Sequence, residues 1–409
     1  MRNRWIANRW MALAIIFVSF LQFTLNWFCI IPAFGGIVED MRLSFPQVGA
    51  IVGMFIGGYG LAHIPGGWLA ERYGLRRALL LGIAVESLGA ALSAWAPSFD
   101  VLLVARFVCG VGGSIYLGSA VGLTTAWFRG RELATANALV TGVAFTLGAA
   151  IGLFVWGSLV AALGWHDALL VGAGVGAATL VFTAALYPTP VDAEASALPN
   201  DGLGLGSLRR VLGNRMLWLM GLSFLGAYGS YFSAAQLLPH FAQSELKVGT
   251  EAAETLSVIL LLSGVPGSLL GGWLADRMIG VVPLLLGGCL VEGVALSLVP
   301  YLNFTGLEVA AVAIGGAPIA AFVVWITIPG QLPNAFRISD IPTAVGLMLT
   351  IVAVGGAVVP PLYGLIATTR GYGAAWGFEG VACLMFALVA LLAPAQPRLR
   401  AAVTSPAPH

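Results

Sequence analysis

Charge is what this sequence has least of. Only 9% of its 409 residues are Asp, Glu, Lys or Arg, against roughly 25% in soluble domains, too few to cover a water-facing surface. Lys247 is the single lysine and the formal net charge is +1. No basic face exists to neutralise phosphates, which excludes a nucleic-acid binder. Cysteine is scarce too: Cys29, Cys109, Cys289 and Cys383 each stand alone inside an apolar run. Without a CxxC pair, neither a zinc site nor a disulfide framework is expected, and these residues read as small apolar packing groups. Also missing are GxSxG, HExxH, a Walker lysine loop and any Cys/His cluster. No enzyme chemistry, metal or cofactor is indicated.

Hydrocarbon is abundant instead. Apolar residues make up 59% of the chain and the mean hydropathy is +0.94, so the expected solvent is lipid. A helical span needs about 20 apolar residues. Charges and turn residues mark twelve such spans, at 11–34, 48–69, 78–95, 101–124, 134–160, 168–187, 216–241, 255–274, 281–299, 308–328, 342–366 and 376–393. The runs are continuous rather than short and alternating, which argues against a membrane barrel. The first follows Arg2, Arg4 and Arg9, as a signal peptide would, but it is longer than a signal core and holds Gln22 and Asn26. It reads as a retained first helix.

The basic residues test the topology. With the N-terminus inside, fifteen of the nineteen Lys and Arg fall in inner segments, Arg42, Lys247 and Arg370 fall outside, and Arg106 lies within a span. That asymmetry is the positive-inside pattern, and an odd number of spans would destroy it. The expectation is a multi-pass inner-membrane protein with both termini cytoplasmic.

The chain also repeats itself. Gly66-Gly67-Trp68-Leu69-Ala70-Glu71-Arg72 matches Gly271-Gly272-Trp273-Leu274-Ala275-Asp276-Arg277 at an offset of 205, and Thr135-Ala136 matches Thr343-Ala344 at 208. Two related halves follow: a six-helix bundle over 1–187, a cytoplasmic connector over 188–215 rich in Pro, Gly, Ser and Asp, and a second six-helix bundle over 216–409 with a short cytoplasmic tail. The fold class is all-α, with twelve transmembrane helices in two pseudo-symmetric bundles.

Two segments carry a family resemblance. Gly67-Trp68-Leu69-Ala70-Glu71-Arg72-Tyr73-Gly74-Leu75-Arg76-Arg77 resembles the signature between the second and third helices of the major facilitator superfamily. Leu103-Val104-Ala105-Arg106-Phe107-Val108-Cys109-Gly110-Val111-Gly112-Gly113 resembles its fourth-helix signature, centred on an arginine. The resemblance covers nearly the whole chain, with a general likeness to cyanate, nitroimidazole and organic-anion branches. It implies a monomeric secondary transporter working by alternating access around a midplane site. It also implies that Gly67, Glu71, Arg72, Gly74, Arg76 and Arg77 latch the cytoplasmic side. Asp276 and Arg277 form a weaker second copy, because Val281 and Val282 stand where basic residues would be. The alternative for this loop is a tight turn with basic topology anchors.

Within the spans, Arg106 is the most informative residue. A guanidinium there is costly unless paired or wetted, and it cannot be deprotonated. It serves coupling or anion attraction, or it is a strut that satisfies carbonyls between helices. Glu86 and Glu292 sit in the middle of the third and ninth spans. Burial favours a carboxyl's neutral form, so each is a proton-carrier candidate or a neutral hydrogen-bonded strut. The family's pathway helices contribute Gln22, Asn26, Trp27, Tyr116, Tyr228, Tyr231, Gln236 and Trp325 as solute-binding candidates. His63 and His240 read as interfacial polar contacts. The fifth span lacks the glycine-proline signature of proton-driven drug exporters, reading Gly148-Ala149-Ala150-Ile151-Gly152. Pro318, Pro360 and Pro361 predict kinks or broken backbone.

The single intramembrane Arg disfavours solutes with two or more negative charges. The expectation is proton-coupled uptake of a small monovalent organic anion or a neutral polar or aromatic solute. Export of amphiphilic drug-like compounds is the alternative. An intramembrane enzyme using Glu86 and a non-transporting receptor of the same fold are weaker rivals.

Overall fold

The computed structural model describes residues 2–130, 132–188, 205–332 and 335–393. Residues 189–204 of the predicted connector, Arg131 and the tail from 394 lie outside the described residues, as do the side chains of Arg2 and Arg4.

Among the described residues every regular element is a helix. In chain order they are α1 (Arg2–Phe28), α2 (Phe34–Met41), α3 (Phe45–Tyr73), α4 (Leu75–Ala94), α5 (Phe99–Phe128), α6 (Leu133–Leu163) and α7 (Trp165–Leu186). Then come α8 (Leu205–Leu212), α9 (Arg215–Glu245), α10 (Thr250–Arg277), α11 (Val281–Leu298), α12 (Phe304–Trp325), α13 (Ile341–Arg370) and α14 (Tyr372–Leu388). Eleven of these are long and apolar enough to cross a membrane. The helix α9 has the length, at 31 residues, but Ser223, Tyr228, Ser230, Tyr231 and Ser233 dilute its apolar character. With it, the long helices correspond to the twelve predicted spans.

The differences are local. The first span was expected to reach residue 34, but α1 stops at Phe28 and a turn carrying Pro32 leads to the short α2. Proline cannot donate to the helix ladder, which explains the stop. Conversely, α12 continues through Pro318, and α13 through Pro360 and Pro361, without a break in either. The broken backbone expected at these prolines is absent there, since a membrane helix re-satisfies the few freed carbonyls. The irregular stretch is in α6, where Ala138–Ala144 and Ile151–Val155 form wider π-helical turns. A π turn displaces a carbonyl from its usual partner. The Thr24 hydroxyl of α1 lies 3.3 Å from the Ala144 carbonyl at the end of the first such stretch.

The chain divides into two compact units. The first comprises Met1–Trp127, Val143–Gly213 and Pro333–Thr350, and the second Phe128–Gly142, Asn214–Leu332 and Ile351–His409. The dividing points fall inside α6 and α13. In the first unit, α3 packs against the start of α13 so closely that a methyl group at Gly67 would collide with the Thr343 backbone. In the second unit, α10 packs against the start of α6, and a methyl group at Gly272 would collide with Thr135 and Ala138. These are the residues that repeat at offsets 205 and 208 in the sequence. The repeat therefore encodes the same helix-on-helix contact twice.

Gly148 marks another close approach, because a side-chain carbon there meets the Thr24 hydroxyl and the Leu21 carbonyl. Gly148→Ala is expected to destabilise the protein by about 1–3 kcal/mol through overpacking. Gly53→Ala in α3, with open space around it, is expected to be neutral or stabilising by up to about 1 kcal/mol through helix propensity. Thermal melts of the purified variants check this. A Gly148→Ala protein melting at or above the parent would contradict the close α1–α6 contact.

Candidate functional site

The polar core of the first unit is built where α1 ends. The last carbonyls of a helix lack intrahelical donors and carry the negative end of its dipole. Arg106, projecting from α5, meets that need: its Nη2 donates to the Trp27 carbonyl at 3.1 Å and its Nη1 to the Asn26 carbonyl at 3.5 Å. The guanidinium carbon also lies 4.9 Å from the centre of the Phe55 ring, within cation–π range. Arg106 is 2% exposed and its Nε has no hydrogen-bond partner among the described residues. The carbonyl-strut arrangement is thus present, with donor capacity left over.

Glu86 of α4 completes the arrangement. Its Oε2 accepts from Gln22 Nε2 at 2.8 Å and from Asn26 Nδ2 at 3.5 Å. Arg106 lies close enough to act on the carboxyl electrostatically. Oε1 of Glu86, Oε1 of Gln22 and Oδ1 of Asn26 are buried without partners among the described residues. Such unpaired acceptors are costly in an apolar interior unless a donor arrives. The close approach needs Gly112 on α5, where a side chain would strike the Glu86 backbone. Four of the sequence-derived candidates, Gln22, Asn26, Glu86 and Arg106, therefore meet in one network.

An aromatic cluster adjoins it. Trp27 stacks on Phe55 at 4.7 Å and packs against Tyr59 at 5.2 Å and Phe23 at 5.9 Å. Tyr116 joins through Phe23 at 5.7 Å, donates its hydroxyl to the Ile16 carbonyl at 3.0 Å and lies 2.9 Å from the Ser19 hydroxyl. His63, expected at an interface, is buried instead. Its Nδ1 is 2.6 Å from the Ser114 hydroxyl and its ring packs edge-on against Tyr59.

In the second unit the candidates are more dispersed. Tyr228 and Tyr231 both pack against Phe232 of α9, at 5.0 and 5.3 Å. Trp325 is fully buried, stacks on Phe224 and donates its indole N–H to the Met220 carbonyl at 2.6 Å. Gln236 is exposed and donates to the Phe232 carbonyl of its own helix at 2.9 Å. His240 is exposed, with its ring 6.4 Å from that of Tyr372. Glu292 accepts from the Cys383 thiol at 3.4 Å and lies near Glu379 of α14.

The two signature copies each present a carboxylate. Glu71 faces Ser207 of α8, with Asp340, Arg210 and Arg337 nearby. Asp340 itself is fully buried and accepts from Ser207 Oγ at 2.7 Å, Arg210 Nη2 at 2.9 Å and the Arg337 backbone N–H at 3.0 Å. Gly74 takes a positive φ of 89° at the α3–α4 turn, a conformation that favours glycine. Arg76 donates to the Ala184 carbonyl at 2.8 Å, Arg72 lies over Trp68 and Tyr73, and Arg77 is exposed. In the second copy Arg277 is exposed, while Asp276 accepts from the backbone N–H groups of Ala134 and Thr135 at 3.1 and 2.7 Å. A carboxylate capping the start of α6 in this way is the favoured partner of a helix N-terminus.

Sequence reasoning passed over Glu379, Asp340, Phe55 and Tyr59. Glu379 stands only three residues into the predicted last span and reads as an end residue. The helix α14 begins at Tyr372, which carries Glu379 two turns inside.

Comparison with known proteins fits this architecture. The sequence profile described as Major Facilitator Superfamily matches residues 16–336. A Cupriavidus necator protein described as "Probable sulfoacetate transporter SauU" is 27% identical over 373 residues, covering 86% of each chain. An Escherichia coli K12 protein described as "Probable L-galactonate transporter" is 26% identical over 264 residues, covering 60% of this chain and 57% of that one. Among solved structures, the E. coli fucose:proton symporter FucP superposes with a TM-score of 0.79 at 15% identity, covering 95% of this chain and all of the other.

The Gln22–Glu86 bond can be tested as a pair. In a double-mutant cycle with Gln22→Leu and Glu86→Leu, thermal stability is expected to show a coupling of about 0.5–3 kcal/mol. Strictly additive losses would contradict a direct hydrogen bond.

Proposed function

The chain belongs to the major facilitator superfamily, and within it we propose a proton-coupled importer of small monovalent organic acids. Arg106 carries the reading: a buried guanidinium with unspent donors beside the single carboxyl of Glu86. When Glu86 is ionised, the two charges offset one another. When Glu86 takes a proton, Arg106 is left uncompensated, and a carboxylate solute restores neutrality. Proton and anion then bind together because each makes the other less costly, which is a coupling free energy between two ligands. Gln22 and Asn26 retain free acceptors toward a solute hydroxyl or acid proton. Trp27 and Tyr116 supply apolar walls with polar tips. Tyr228, Tyr231, Gln236 and Trp325 are the second half's candidates, and Glu292 is a second proton-carrier candidate.

The relatives named for L-galactonate and sulfoacetate support a small carboxylate. Sulfoacetate carries two acid groups, and a single guanidinium favours one negative charge over two. A second reading, export of amphiphilic aromatic compounds, draws on the cluster of Phe23, Trp27, Phe55 and Tyr59 around the site.

The further elements of the proposal follow the sequence. The protein is a monomer in the inner membrane with both termini cytoplasmic, and its two related bundles rock about a midplane site. Glu71 and Asp276, with Gly67, Arg72, Gly74, Arg76, Arg77 and Arg277 around them, act as cytoplasmic latches that release during rocking.

Proteoliposomes with an inward proton gradient test the function. Accumulation of radiolabelled monocarboxylates, driven by the gradient, is expected. Arg106→Ala is expected to lower uptake at least about tenfold, since a charge-assisted hydrogen bond contributes about 1.5–3 kcal/mol. Arg106→Lys keeps the charge without the planar fork and is expected to retain part of it. Glu86→Gln is expected to retain solute exchange but lose accumulation against a gradient. Preferential sulfoacetate uptake would overturn the charge argument, and drug efflux against protons would favour the second reading. Membrane-impermeant labelling of single cysteines in the 72–77 and 39–42 loops is expected to report opposite sides.

A further inference from the structure

Glu86 in the first unit stands beside Arg106, whereas two buried carboxyls of the second unit, Glu292 and Glu379, meet no cation among the described residues. Glu292 on α11 and Glu379 on α14 are both fully buried. The residues that follow them, Gly293 and Gly380, pack α11 and α14 together so tightly that neither could carry a side chain. Cys383, one turn beyond Glu379 on the same face of α14, donates its thiol to Glu292 Oε2 at 3.4 Å. The same thiol lies 3.3 Å from the Cys289 carbonyl, so its one proton is shared between two acceptors.

The surroundings are polar yet unsatisfied. Oε1 of Glu292 and both carboxyl oxygens of Glu379 lack hydrogen-bond partners among the described residues. So do the hydroxyls of Tyr231, Ser233 and Tyr363 and the indole N–H of Trp376. Glu292 lies near enough to Tyr231, and Glu379 to Tyr363, to act on those hydroxyls electrostatically, and Ser233 faces Glu379. Tyr231 is 6% exposed and Tyr363 2%.

The groups facing the pair come from α9, α11, α13 and α14, while α12 meets α11 through Ala317 and Ala321. The helix α9 contributes Tyr231, Ser233 and Ser230, whose hydroxyl donates to the Glu379 carbonyl at 3.4 Å. Cys289 is on α11, Tyr363 on α13, and Cys383 and Trp376 on α14. None is a cation. In the first unit, by contrast, Glu86 has two amide donors and Arg106. Two ionised carboxylates side by side in an apolar interior repel each other and have no countercharge, a combination that costs several kcal/mol per ion. Something positive has to reside there.

We propose that Glu292 and Glu379 form a second proton-binding site, in which the pair holds protons that exchange with bulk water through the neighbouring hydroxyls. Each carboxyl then becomes a donor as well as an acceptor, which meets the unpaired oxygens around it. The only step is protonation: a carboxylate oxygen takes a proton from water and returns it. The role in transport rests on the proton-coupled reading above, while occupancy of the site does not.

The test therefore needs no solute. Wild type, Glu379→Gln, Glu292→Gln, Glu86→Gln and Tyr363→Phe are reconstituted in lipid nanodiscs, and the protonated-carboxyl C=O band is followed by infrared difference spectroscopy during a pH titration in sodium-free buffer. Wild type is expected to show a titrating component that Glu379→Gln and Glu292→Gln lose and that Glu86→Gln keeps. Tyr363→Phe, which retains both acids, is expected to shift its midpoint, and it keeps the proposal testable if a Gln variant fails to fold. An unchanged band in both Gln variants, with Tyr363→Phe also unshifted, would overturn the site. A component that responds to added sodium instead of pH would also overturn it, in favour of a metal cation. Loss of gradient-driven uptake in wild type with this component intact would sink the proposed function and leave the site standing.

Discussion

A charge that cannot be shed organises the first unit. Most ionisable groups can become neutral when lipid and packed side chains close over them, but a guanidinium cannot. Arg106 must therefore be satisfied by other parts of the fold. Stopping α1 at Phe28 leaves the Asn26 and Trp27 carbonyls without helical partners, and Arg106 supplies the donors. Placing the Phe55 ring against the guanidinium uses the ring's negative face. Glycine at 112 lets α4 come near enough for Glu86 to sense the same charge. Helix length, glycine placement and aromatic placement all meet one electrostatic requirement.

The internal repeat preserves geometry better than chemistry. Gly67 against Thr343 and Gly272 against Thr135 are the same backbone contact in two copies. The turns at Gly164 and Gly371 share a positive φ, 81° and 86°. The buried acids diverge. Glu86 is held by the amides of Gln22 and Asn26, whereas Glu292 is held by a thiol and lies beside a second acid. Backbone packing tolerates few substitutions, because a single added carbon at Gly67 or Gly272 collides with backbone. Buried polar side chains can be satisfied by several different partners, and the two copies use different ones.

That difference also sets how much the sequence discloses. Continuous apolar runs locate the long helices, most of their ends to within about five residues, because a span's length is dictated by the bilayer; the first is the exception, with α1 lying nearer the N-terminus than its run. The repeat at Gly67 and Gly272 is legible because both copies must remain glycine. Arg106, Glu86, Gln22 and Asn26 stand out as polar residues in apolar runs, and the structure joins them. Their pairing is less visible: nothing in the spacing of residues 22 and 86 says which amide meets which carboxyl. Glu379 escapes notice because α14 starts four residues before the predicted span. The prolines advertise a kink or a break in α12 and α13, and of the two no break occurs; the wide turns are in α6, where no proline announces them.

On the proposed reading, fixed and mobile charges divide the work. A fixed cation selects: it remains in the membrane throughout, so whatever neutralises it has to arrive from outside or come from Glu86. A carboxyl carries: it changes charge by taking up a proton without any atom of the chain moving far. A protein with one fixed cation and one facing acid has two neutral states, acid ionised with no solute, or acid protonated with a monoanion bound. The two remaining combinations leave a net charge buried at a cost of several kcal/mol, so an empty protonated site or a loaded ionised one is disfavoured for crossing. Coupling then needs no long-range signal between solute and proton, because charge balance at a single residue enforces it. A dianion breaks this scheme, since one guanidinium leaves its second charge without a partner. That limit comes from the number of fixed cations in the spans, a quantity written in the sequence at Arg106.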